Sequence, residues 1–245
     1  MGQRETMNII GHLSDMRKRL IVIIAFFVMS LIFCFLFVED IYYFLASKSG
    51  EKLAILGPLD ILSIYVKLSG VGAIAATIPV AAHQIWCFVV PALTEKEKKV
   101  TLMYIPALFF LFVLGVAFAY FILFPLMYSF VLGLSQGNFD LVITANDYFS
   151  FMLSVILPFG FLFEMPAAVL FLSHLGIVNP HRLAKMRKPA YFLLSVLSIS
   201  ITPPDWVSDV LVIIPLIALY EVSITLSRVV YRKREQEEAN SMLIV

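Results

Sequence analysis

Arg17-Lys18-Arg19-Leu20-Ile21-Val22-Ile23-Ile24-Ala25-Phe26-Phe27-Val28-Met29-Ser30-Leu31-Ile32-Phe33-Cys34-Phe35-Leu36-Phe37-Val38 sets three cations against an uncharged run that lasts until Glu39. About 20 such residues, rising 1.5 Å each in a helix, match a hydrocarbon core about 30 Å thick. Leu20 to Val38 therefore reads as a transmembrane helix with a basic flank. The run is too long for the apolar part of a cleaved signal peptide and has no small-residue cleavage pattern after it, so it is expected to be retained.

The same grammar recurs along the chain. Of the 18 Lys and Arg, all but Lys48, Lys52 and Lys67 fall in four short segments: Arg4 with Arg17, Lys18 and Arg19; Lys96, Lys98 and Lys99; Arg182, Lys185, Arg187 and Lys188; and Arg228, Arg232, Lys233 and Arg234. Short basic segments are retained on the cytoplasmic side, so all four, and both termini with them, are expected to face the cytoplasm. Composition agrees. With 61% hydrophobic and 14% charged residues and a mean hydropathy of +0.94, a soluble globule would carry more apolar surface than it could bury. The net charge of +1 is sorted by side, and no nucleic-acid partner follows from it.

Six stretches can cross or nearly cross: Leu20 to Val38, Leu68 to Val90, Thr101 to Phe124, Tyr148 to His174, Pro189 to Ile201, and Trp206 to Tyr220. The uncharged run from Val100 to Phe139 is long enough for two crossings, but a second would put the basic 182–188 loop outside. Pro125, Gly133 and Ser135-Gln136-Gly137-Asn138 instead read as a helix end and a loop. The expectation is an all-α integral membrane protein of six transmembrane helices with no internal repeat, as one domain over 1–245. Within it, residues 1–19 form a cytoplasmic amphipathic N-terminus, with Ile9, Leu13, Met16 and Leu20 on one stripe. Residues 20–226 are the six-span core and 227–245 a charged cytoplasmic tail. The last two spans, bounded by Pro189, Thr202-Pro203-Pro204-Asp205 and Glu221, are short, which implies local thinning or polar residues tucked against other helices.

Little here points to covalent chemistry. Cys34 and Cys87 lie in predicted spans, and His12, His83, His174 and His181 have no ligand spacing, so neither a disulfide framework nor a metal site is expected. There is no phosphate-binding glycine loop, no H-E-x-x-H and no G-x-S-x-G, which argues against an ATP-driven pump or a hydrolase. No catalytic residue and no cofactor are expected. Met1-Gly2 with Thr6 fits a myristoylation pattern, but a six-span chain needs no lipid anchor.

Five carboxylates stand out. Asp15 follows the N-terminal stripe and reads as a surface acid paired with Lys18 or Arg19 at helical spacing. In Thr94-Glu95-Lys96-Glu97-Lys98-Lys99, two carboxylates sit in a basic loop, and Thr94 with Glu97 also has the spacing of a capping box. Glu164 lies mid-span in Phe161-Leu162-Phe163-Glu164-Met165-Pro166. An ion at that depth costs about 2.5–3.5 kcal/mol on insertion scales. Two readings are open: a polar functional site on an inner face, or a neutral acid bonding helix to helix. Pro166 adds a kink, because it leaves the carbonyl of Leu162 without its helical donor. Asp205 precedes the sixth span where an N-cap is needed.

Taken together, five motifs resemble the TatC family, the multispanning receptor component of the twin-arginine protein translocase, over nearly the whole chain. They are His12-Leu13-Ser14-Asp15-Met16-Arg17-Lys18-Arg19-Leu20; Gln84-Ile85-Trp86-Cys87-Phe88 with Pro91-Ala92-Leu93-Thr94-Glu95-Lys96-Glu97; Ala117-Phe118-Ala119-Tyr120-Phe121 with Phe124-Pro125; Phe163-Glu164-Met165-Pro166; and Thr202-Pro203-Pro204-Asp205. The resemblance implies Sec-independent export of folded proteins from the cytoplasm across the cell membrane. The chain would bind Arg-Arg signal peptides and recruit TatA-type, and in some systems TatB-type, single-span partners, with self-association in a receptor complex driven by the proton-motive force. It implies signal-peptide binding by Glu97 and by Asp15, which stands where the family usually has Glu. Phe88, Arg17 and Arg19 belong to the same surface. It implies an intramembrane polar site at Glu164 and partner docking at Thr202, Asp205 and Asp209.

Residue chemistry supports the carboxylate assignment separately. A guanidinium offers a planar fork that a carboxylate accepts bidentately, whereas a lysine offers a point charge. Surrounding lysines would repel arbitrary cationic segments. The alternative reading is a proton-coupled secondary transporter of a small solute with Glu164 as the titrating carrier.

Overall fold

The computed structural model describes the backbone of residues 2–46, 53–93, 98, 101–135, 142–202 and 206–242. These residues are almost entirely helical, and the one β pairing among them is an isolated bridge between Ala54 and Thr144. Five helical stretches are long and apolar enough to cross a membrane: Ser14–Leu36, Pro58–Val89, Tyr104–Gly133, Ala145–His174 and Trp206–Arg232. A sixth, Arg187–Ile201, has 15 residues. At 1.5 Å per residue it reaches only about 22 Å, less than an ordinary core of about 30 Å. The protein is an all-α membrane protein of six helical spans. It divides into two compact units, residues 1–109 with 142–150, and 110–141 with 151–245.

The first unit is built on α1 (Gly2–Leu36), α2 (Val38–Ala46) and α3 (Pro58–Val89). The basic N-terminal segment does not form a separate interfacial helix. Its backbone runs unbroken into the first span. α1 and α3 are antiparallel: Arg19 reaches Cys87, Cys34 lies against Gly72, and Phe35 meets Tyr65. A Cβ on Gly72 would lie 2.9 Å from the Cys34 Sγ, so this glycine sets how closely the helices approach. α3 starts with Pro58 after an extended Gly57, which uses a position where the missing N–H costs nothing. Ala54 then exchanges backbone hydrogen bonds with Ile143 and Ala145, docking the extended segment before α3 beside the start of the fourth span. That span's N-terminus is capped by Thr144, whose hydroxyl accepts from the Asp147 N–H at 3.0 Å and donates to its carboxylate. Lys67, one of the three cations outside the basic segments, donates at 2.8 Å to both Asn146 Oδ1 and Ser150 Oγ.

The second unit holds most of α4 (Tyr104–Phe118), a π-helical turn at Ala119–Leu123 and α5 (Phe124–Ser135), which form one continuous span. Pro125 cannot donate to the carbonyl of Phe121, and the π turn just before it absorbs that mismatch. α4 packs against α6 (Ala145–Phe163) at a reciprocal crossing. A Cβ on Gly115 would lie 2.6 Å from the Phe159 carbonyl oxygen, and one on Gly160 would lie 2.6 Å from the Phe112 ring. α6 stops at Glu164 and the chain re-enters helix as α7 (Met165–His174), the break expected from Pro166. α7 ends in a Schellman turn: Gly176, at φ 70°, donates to Ser173, and Ile177 to Leu172. Asn179 caps the short α8 (Pro180–Lys185).

α9 (Arg187–Ile201) and α10 (Trp206–Met242) form an antiparallel pair. The apolar stretch expected to end at Glu221 sits within a much longer helix. Glu221 does not terminate it because Arg187 donates two 2.8 Å hydrogen bonds to its carboxylate and the Tyr191 hydroxyl a third. Buried Ser173 and Ser227 join α7 to α10 at 2.7 Å.

Gly115→Ala forces backbone to move and is expected to destabilise by about 1–3 kcal/mol. Gly70→Ala, with nothing within 4 Å of its added carbon, is expected to leave stability unchanged or slightly raised. Thermal unfolding of the two variants in one detergent measures the difference, and equal midpoints would contradict the crossing.

Candidate functional site

Pro91 has no N–H, so the carbonyl of Cys87, four residues earlier, lacks its helical donor. Arg19 supplies it. One guanidinium nitrogen lies 3.1 Å from that carbonyl oxygen, and the other lies 3.5 Å from both the backbone and side-chain oxygens of Gln84. A cation here also meets the negative end of the α3 dipole. The clasp fixes the basic end of α1 to the carboxyl end of α3 inside the first unit.

This contact gathers several predicted site residues. Asp15 lies one turn before Arg19 and is exposed, as is Arg17. Phe88 follows Cys87 directly and is half-buried. The turn Val90–Ala92 and extended Leu93 then lead into the segment that carries Glu97. Trp86 donates to Thr101 at 2.9 Å, joining the residues on either side of that segment. Glu97 itself lies outside the described residues, as does Asp205. Of the two pairings expected for Asp15, with Lys18 or with Arg19, neither is formed among the described residues, and Arg19 is occupied by α3. Among the described residues Asp15 has no ion-pair partner.

Glu164 sits at the break between α6 and α7. Both carboxyl oxygens are buried and have no hydrogen-bond partner among the described residues. Of the two readings of this acid, helix-to-helix glue therefore has no bonding partner within the described residues. Thr202 and Asp209 are joined to each other: the buried Thr202 hydroxyl lies within hydrogen-bond reach of the Asp209 carboxylate and 3.0 Å from the Ser198 carbonyl. Ser198 in turn donates to the Asp209 carbonyl at 3.0 Å. The pair therefore joins the end of α9 to the first turn of α10.

Sequence reasoning missed three polar arrangements: the Gln84 and Cys87 acceptors of Arg19, the Lys67 pair of neutral acceptors, and the Arg187–Glu221–Tyr191 cluster. The first was legible as a proline four residues after an otherwise ordinary cysteine. The third left a signal too, an acid interrupting an apolar run opposite a basic loop. Among the described residues no group of three or more His, Cys, Asp or Glu could hold a metal ion.

Residues 11–215 match the family model of the Sec-independent protein translocase protein TatC. The chain is 59% identical to the Sec-independent protein translocase protein TatCd of Bacillus subtilis over 97% of this chain and 98% of that protein. It is 39% identical to the TatC protein of Halalkalibacterium halodurans over 97% and 95%. A crystal structure of the twin arginine translocase receptor TatC superposes with a TM-score of 0.77 at 34% identity, covering 89% of this chain and 99% of that one. With a family model spanning most of its length and relatives aligned nearly end to end, the chain belongs to the TatC family of Sec-independent protein translocase proteins.

Proposed function

We propose that this chain is the receptor subunit of a twin-arginine translocase in the cell membrane, with both termini in the cytoplasm. It binds the Arg-Arg signal peptides of folded cargo through Glu97 and Asp15 and recruits TatA-type single-span partners, with or without a TatB-type protein, for transport driven by the proton-motive force. The observation that carries this reading is the Arg19 clasp. It uses up the cation best placed to neutralise Asp15 and sets that exposed acid at the end of the unit from which the Glu97 loop departs. Arg19 thus acts by holding the surface, while Phe88 and Arg17 flank it. Two carboxylates accept two guanidinium forks with a directionality that ammonium groups cannot match. Membership of a protein-translocase family gives no support to a small-solute carrier.

Glu164 and the Thr202–Asp209 hinge belong to a second stage in this reading. An acid with both oxygens buried and unpartnered among the described residues favours the approach of a polar group from another membrane helix, since that contact would relieve its desolvation.

A crosslinkable Arg-Arg signal peptide is expected to label membranes containing this protein well above its Lys-Lys twin. Glu97→Ala is expected to lower Arg-Arg labelling about 10-fold or more, the loss of a charge-assisted hydrogen bond of about 1.5–3 kcal/mol. Asp15→Ala shows the share of the second acid. Equal labelling of the two peptides by the unaltered protein would overturn the receptor reading. Glu164→Ala is expected to retain Arg-Arg labelling and to lose cargo transport into membrane vesicles. Unimpaired transport would remove Glu164 from the mechanism.

A further inference from the structure

We propose that one end of the second unit is a binding site for the headgroup of an anionic phospholipid, formed by Arg182 and Lys185 of α8, Lys188 at the start of α9, and Arg228 and Arg232 of α10. The proposal is independent of signal-peptide recognition. All five cations are exposed. α8 is a fixed element: Asn179 caps its start at 2.8 Å, and the Tyr220 hydroxyl of α10 donates to the Leu183 carbonyl at 2.9 Å. Arg182 and Lys185 are three residues apart and share a face on either side of that anchored turn.

On α10, Glu221, Arg228 and Arg232 are spaced by seven and four residues, so they lie on one stripe. Glu221 marks where that stripe points, because it bonds Arg187 at the start of α9. Arg228 and Arg232 therefore continue along the face that meets the other cations' element. Glu221, the one acid between Pro180 and Lys233 on this end, is already held by Arg187 and Tyr191. The remaining charge between Pro180 and Lys233 on this end is positive, and the acids Glu235, Glu237 and Glu238 follow only in the tail.

Retaining a loop on one side of a membrane requires basic residues but not a capped, anchored helix that presents them beside a second charged stripe. The patch also starts at the membrane boundary, since Lys188 and Glu221 bound the uncharged runs Pro189–Ile201 of α9 and Val210–Tyr220 of α10. The partner with the matching charge at that depth is a lipid phosphate. A cationic signal peptide would be repelled.

The test uses the full-length protein in neutral detergent, with thermal unfolding followed as phosphatidylglycerol, phosphatidylcholine or inorganic phosphate is added. Phosphatidylglycerol alone is expected to raise the midpoint. Each cation near the surface contributes about fivefold, so Arg182→Gln with Lys185→Gln is expected to raise the half-saturating lipid concentration about 25-fold. Arg228→Gln with Arg232→Gln, on the other element, is expected to do the same and serves if the first variant is poorly folded without lipid. Lys48→Gln with Lys52→Gln removes equal charge elsewhere and is expected to leave the response intact. No response to phosphatidylglycerol, an equal response to inorganic phosphate, or equal loss in the Lys48 and Lys52 variant would each overturn the proposal.

Discussion

The contact between Arg19 and the carbonyl of Cys87 follows from a constraint that governs the whole chain. In an apolar surrounding every backbone polar group must find a partner within the protein. Pro91 leaves one carbonyl without a donor at the end of α3, and the only guanidinium among the described residues that reaches it comes from the first basic segment. Because α1 and α3 run antiparallel, that one contact brings the start of the first span to the end of the second. Asp15, Phe88 and the root of the Glu97 loop share that end as a consequence of chain direction and one missing N–H.

The charged side chains sort by the same constraint. Arg187 and Glu221 satisfy each other bidentately, and Lys67 rests on two neutral oxygens. Two acids stand apart. Asp15 is exposed to water and loses little by having no ion-pair partner among the described residues, so it remains open to an incoming cation. Glu164 is the opposite case, with both oxygens withdrawn from water and unpartnered among the described residues. One is suited to first contact with a polar peptide and the other to a partner already in the bilayer.

Much of this was legible in the sequence because membranes restrict the options. The apolar runs located the spans, the proline after Glu164 located the break, and five short motifs resembling TatC pointed to the family to which the chain belongs. What was hidden depended on tertiary proximity. Glu221 looked like the end of a span because an isolated acid is costly there, and only the approach of Arg187 and Tyr191 makes it tolerable inside a helix. Lys18 and Arg19 were both open as partners of Asp15 because spacing along one helix was the only distance available. Thr202 and Asp209 were expected at the docking region by resemblance alone, and the bond between them was not legible in the sequence. For Glu221 and Arg19 a partner far along the chain decided the outcome.

The central claim is that signal peptides are read at the end of the first unit held by Arg19. Its most direct test places a photoreactive phenylalanine analogue at position 88, at position 24 midway along α1, or at position 192 on α9, and measures capture of an Arg-Arg signal peptide. The account predicts capture at position 88 alone, abolished when the peptide pair is Lys-Lys. Capture at position 192, or at position 88 regardless of the peptide pair, would contradict it.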